Sequence, residues 1–136
     1  MSRSQRHTRP LWQGDRGDAV AEFVMVVGLL TILTLSVIQL ALALHIRNTV
    51  MDAAAEGARF AALADTAPSD GEQRTRDLIT AAIGDGYAGD VHAVRDDYLG
   101  RPAIAVTVRA PLPLIGLVGI DSGLEVTGHA ALENLE

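Results

Sequence analysis

Phe23 to Leu44 is a run of 22 residues without a charged side chain, and a carboxylate, Glu22, stands directly before it. At about 1.5 Å per residue a helix of this length reaches about 33 Å, enough to cross the ~30 Å hydrocarbon core of a bilayer. The run therefore predicts one membrane span and leaves about 90 residues for a single small domain with a modest core.

The charge of −6 is unevenly spread. Residues 1–17 carry Arg3, Arg6, Arg9 and Arg16 against Asp15, a balance of +3. Residues 48–136 carry six Arg against fourteen Asp and Glu, a balance of −8. Arginines before a span hold that side in the cytoplasm, so the N-terminus is expected inside and the acidic domain outside. An acidic domain also argues against nucleic acid as a partner, because phosphates are met by a basic face. The chain has no cysteine, which removes disulfides, thiol nucleophiles and thiolate zinc sites from consideration.

The apolar run is too long for a secretory signal, whose core is 7–15 residues. A plain signal anchor explains the length but gives no role to Gly17 and Glu22. Here a basic leader, Arg16-Gly17, four residues, Glu22, Phe23 and a long apolar run occur in one order. That order resembles the N-terminus of type IV pilin-like proteins. More closely, residues 17 to 59 resemble the TadE-like family, small pilin-like proteins of tight-adherence pilus systems. The matching residues are Arg16-Gly17, Ala21-Glu22-Phe23, the aliphatic run to Leu44, Arg47-Asn48, Asp52-Ala53-Ala54 and Glu56-Gly57-Ala58-Arg59. Gly28 stands where the family often has a proline, and Asp18 is a polar residue to follow the cut.

The resemblance implies cleavage between Gly17 and Asp18 by a prepilin peptidase, making Glu22 the fifth mature residue. The new ammonium at Asp18 can then meet the carboxylate of a neighbour's Glu22. Unpaired charge is costly near lipid and paired charge much less so, so such a pair fixes subunit register. The implied partners are the lipid bilayer, the major pilin, other pilin-like subunits, the peptidase, and indirectly the assembly ATPase with its membrane platform.

The helical pattern continues past the run. Ile46, Val50, Ala54, Gly57 and Ala61 recur at spacings of three or four, and no breaker intervenes before Asp65-Thr66-Ala67-Pro68. The pattern predicts one helix over 18–64, with its span at 23–44. Ala53, Gly57 and Ala61 form a ladder of small residues that admits another backbone closely, either a neighbouring subunit's or that of this chain's own outer domain.

Residues 65–136 read as the outer α+β domain. Asp65 to Gly71 has the composition of a loop, with Ser69 or Asp70 capping a second helix over Glu72–Ile83. Short runs follow at Asp90–Asp97, Ala103–Arg109 and Gly123–Leu132, with a turn at Tyr98–Pro102 joining the first two. The expected fold class is α+β: a long transmembrane helix continuing outside, a second short helix, and an antiparallel sheet of about three strands. Ala110 to Ile120, APLPLIGLVGI, is uncharged and too short to span a membrane, so it either completes the core or docks on a membrane or partner.

No catalytic or cofactor signature is present. His7, His45, His92 and His129 lack metal-ligand spacing, Asp96-Asp97 reads as an exposed turn pair without a calcium loop, and Gly84-Asp85-Gly86 lacks the Lys-Ser/Thr of a phosphate loop. The leading expectation is a TadE-type minor pilin-like subunit trimmed after Gly17. The alternative is an unprocessed, single-span binding module of the cell envelope. An enzyme accessory subunit on a tether has the least support.

Overall fold

The computed structural model describes residues 12–63, 65–112 and 120–133. The element order is α1 (Trp12–Ala62), α2 (Pro68–Ile83), a short 3-10 turn (Asp85–Tyr87), β1 (Asp90–Tyr98), β2 (Arg101–Leu112) and β3 (Ile120–Ala131). The α+β expectation is met: a long apolar helix, a second helix and a three-stranded antiparallel sheet in the order β1-β2-β3. Two compact units divide within α1, one up to Val37 and one from Ile38 onward.

In the first unit α1 is bare, with aliphatic side chains exposed on all sides. Its hydroxyls are satisfied locally: Thr31, Thr34 and Ser36 each donate to the carbonyl four residues earlier at 2.8 Å. A helix whose polar groups are all paired within itself can lie in lipid without unmet donors. It is the one helix among the described residues long and apolar enough to cross a membrane.

In the second unit the predicted face of α1 becomes the core. Ile46, Val50, Ala54, Ala58 and Ala61 are buried together with Ile104, Val106, Val108, Leu124 and Val126. Alternation along β2 and β3 sends these side chains to one face and Thr107, Arg109, Glu125 and Thr127 to the other. Gly128 marks a close approach of the sheet to α1: a Cβ there would lie 2.6 Å from the carbonyl carbon of Ala54. Glycine in a strand interior often marks such an approach.

Several boundaries differ from the sequence expectation. α1 begins at Trp12, not at residue 18, and ends at Ala62. Asp65, at φ 66°, turns the chain after it, while the Thr66 hydroxyl lies 2.7 Å from the Leu63 carbonyl and 3.1 Å from that of Ala61. α2 starts at Pro68, four residues earlier than expected. Its N-cap is Ala67, neither Ser69 nor Asp70. Asp70 contributes from within the first turn, accepting the Ala67 N–H at 2.8 Å, and Pro68 fills a first-turn position that needs no donor. Asp96-Asp97 lies in β1, not in a turn.

The turn between β1 and β2 is only Leu99-Gly100, because Tyr98 already pairs with Arg101. Both turn residues have positive φ, 52° and 76°, the combination of a two-residue hairpin loop whose twist suits the strands. β2 extends to Leu112 and β3 begins at Ile120, which pair across a register shift after Ala110. The remainder of the uncharged segment, 113–119, lies outside the described residues, so its alternative roles are neither met nor corrected.

Candidate cleavage and subunit-packing site

Gly17, Asp18, Glu22 and Phe23 all lie on α1 in the first unit, and all are exposed. Asp18 and Glu22 are four residues apart, so their carboxylates share one helix face. Two like charges at that spacing repel, and neither has an ion-pair partner among the described residues. Phe23 is 69 % exposed at the start of the apolar surface. Nothing lies within 4 Å of a Cβ built on Gly17, so its neighbourhood is open.

Ala53, Gly57 and Ala61 sit in the second unit and are buried, facing α2. Gly57 meets Gly71 and Thr75. A Cβ on Gly57 would clash with the Thr75 hydroxyl and lie 2.7 Å from the Gly71 carbonyl oxygen. Thr75 is the buried polar side chain of this contact; its hydroxyl donates to the Gly71 carbonyl at 2.8 Å and lies 3.4 Å from that of Ala53. The opposite side of α1, with Asn48, Met51, Asp52 and Arg59, is exposed. Its Glu56–Arg59 pair, at 3.9 Å in solvent, adds little stability.

Three arrangements in the outer domain were not anticipated from sequence. Glu72 accepts the Ala93 N–H at 2.9 Å and Arg76 donates to the Val91 carbonyl at 2.8 Å, so α2 satisfies backbone groups on the outer edge of β1. An unpaired sheet edge invites pairing with another chain, and these two side chains blunt it. Their i,i+4 spacing was visible in the sequence, but their target was not. On the solvent face Asp90, Arg109 and Glu125 form one row across all three strands, with Arg109 Nε donating to Glu125 at 2.7 Å. The hydrogen bond and charge of Glu125, then the charge of Asp90, raise the Arg109 pKa above the ordinary arginine range. Further along, the rings of Tyr98 and His129 stack at 4.3 Å. Among the described residues no cluster of three or more His, Asp or Glu is placed to hold a metal ion.

The described residues combine one apolar helix long enough to cross a membrane with a small α+β domain. The segment from Gly17 to Arg59 is TadE-like: it matches the family model described as TadE-like protein over residues 17–59, about a third of the chain. That family is pilus-related and structural, not known for enzymes. No curated protein and no solved structure matches the chain.

Proposed function

We propose that this chain is a TadE-type minor pilin-like subunit used in assembling a tight-adherence pilus or a related secretion apparatus. It is inserted with its N-terminus in the cytoplasm and residues 65–136 outside. The basic leader, 1–17, is removed by a prepilin peptidase acting between Gly17 and Asp18. Residues 23–44 then hold the mature protein, 18–136, in the cytoplasmic membrane beside the major pilin and other pilin-like subunits.

The observation that carries this reading is the matched segment itself, which opens on Gly17 and contains Glu22 and Phe23 at the door of the apolar run. The exposed Glu22 carboxylate, without an ion-pair partner among the described residues, supports a counter-ion supplied by assembly. A charge near lipid gains most from the one partner that offsets its desolvation, and that partner here is the Asp18 ammonium of a neighbouring subunit. Glu22 and Phe23 therefore set subunit register, while the outer domain, its small-residue ladder occupied by α2, offers the other face of α1 to neighbours.

Glu22→Ala tests the role. The variant is expected in the membrane at normal abundance, with surface pili lost. Normal piliation by this variant would remove the registration role, while retention of residues 1–17 would favour the alternative of an unprocessed anchored module of the envelope.

A further inference from the structure

The bond between Gly17 and Asp18 lies inside a helix. α1 is helical from Trp12, so more than a full turn precedes Gly17. In that arrangement the Gly17 carbonyl accepts the Ala21 N–H, and the Asp18 N–H donates to the Gly14 carbonyl. The backbone groups that a protease must align are already engaged within the helix. These turns must therefore open before the bond can be cut, and the rate of cutting follows the open population when opening is fast.

Little opposes that opening. Residues 15–22 are all exposed, and nothing lies within 4 Å of a Cβ built on Gly17, so unwinding gives up helix hydrogen bonds and no packing around these residues. Gly14 and Gly17 are both poor helix formers. Asp18 and Glu22 repel across one turn, and no ion pair among the described residues supports this stretch.

Asp18 also gives the unwinding a place to stop. With the helix opened through Gly17, the N–H groups of Ala19, Val20 and Ala21 lose their carbonyl acceptors at residues 15, 16 and 17. Asp18 then stands at the N-cap, where a carboxylate can accept the N–H of Val20 or Ala21 while its own carbonyl keeps the Glu22 N–H. Glu22 falls near the start of the shortened helix, where negative charge is favoured. Asp15 is a capping residue type too, but a cap there would leave Gly17 in the first helical turn. Gly17, now outside the helix, can adopt the extended backbone that cutting requires.

From this geometry we propose that α1 of the uncut chain has two forms, a long one running through Trp12 and a short one capped by Asp18, and that the peptidase cuts the short form. Asp18 thereby holds the helix start directly beside the bond. Hydrolysis adds one water across that bond, leaving a carboxylate on Gly17 and an ammonium on Asp18. The inference rests on the reading of Gly17–Asp18 as the cleaved bond.

The test uses the full-length chain in detergent, with and without purified prepilin peptidase. Single-turnover cleavage is compared with hydrogen exchange at the Gly17 amide, whose intrinsic rate is untouched by changes at residues 14 and 18. Gly14→Ala, which favours the long form, and Asp18→Ala, which removes the cap, are each expected to slow cleavage about fivefold. Exchange at Gly17 is expected to slow by a similar factor. Asp18→Asn caps equally well and is expected to stay within about twofold of wild type in both readouts. Cleavage at the wild-type rate by Gly14→Ala and Asp18→Ala overturns this inference alone. So does an Asp18→Asn chain cut as slowly as Asp18→Ala with Gly17 exchange unchanged, which assigns Asp18 to direct recognition by the peptidase. A wild-type chain left uncut removes the processing reading itself. Gly17 exchange then still decides the cap, and an Asp18→Ala rate equal to wild type overturns it.

Discussion

A Cβ placed on Gly57 of α1 would lie 2.7 Å from the carbonyl oxygen of Gly71 in α2, and a Cβ placed on Gly71 would lie 2.7 Å from the carbonyl oxygen of Gly57. The contact is reciprocal and backbone-to-backbone, so neither side can yield by changing a rotamer. Gly57→Ala and Gly71→Ala are each expected to destabilise the outer domain by about 1–3 kcal/mol, the usual cost of overpacking. Urea unfolding of the full-length protein in detergent checks this. Gly28→Ala, with nothing within 4 Å of its new Cβ, is the control expected to leave the domain transition unmoved.

Glu72 holds the edge of β1 through the Ala93 N–H. Glu72→Ala leaves that partly buried donor without its acceptor, which costs about 1–3 kcal/mol. Hydrogen exchange at the Ala93 amide is expected to speed up at least tenfold, with a greater tendency of the domain to self-associate through the bared edge. Glu72→Gln keeps an acceptor and is expected to recover much of the protection.

Leu99 occupies a left-handed turn position with φ 52° and is 87 % exposed. A branched apolar side chain has no packing there to offset the conformation, whereas Asn tolerates it. Leu99→Asn is therefore expected to raise stability by about 0.5–1 kcal/mol, read as a higher thermal midpoint.

Arg109 lies in the solvent-facing charged row, and its raised pKa means its linkage contribution is complete below the ordinary arginine range and lost only at still higher pH. Arg109→Met is thus expected to change stability little between pH 6 and 9 in moderate salt. Its effect is expected to shrink as ionic strength rises, because exposed pairs are screened.

How much of this was legible in the chain depended on the range of the interaction. The long helix and the core face of α1 were readable because Ile46, Val50, Ala54 and Ala61 repeat with helical spacing, and its membrane-length apolar run because residues 23–44 carry no charge, both purely local signals. Ile104, Val106 and Val108 announced β2 in the same way through alternation. The start of α2 was misplaced because Pro68 and Asp70 look like loop residues, yet Pro suits a first helical turn and Asp70 reaches back to the Ala67 N–H. The counterpart of Gly57 was not readable at all. Gly71 and Thr75 share one face of α2, but only the path of the chain between the helices sets them against Ala53 and Gly57. The Asp90–Arg109–Glu125 row likewise depends on strand register. In the proposed cleavage and registration site the residues were recognisable from their order, whereas their use depends on partners outside the chain.

The account turns on a terminal amine created beside Glu22 after translation. Its most direct test is the intact mass of the protein purified from cells with an active prepilin peptidase. The expected mass is that of a chain beginning at Asp18, with the uncleaved form accumulating when Gly17 is replaced by a bulky residue. A wild-type protein that retains residues 1–17 while its cells make normal pili would contradict the account.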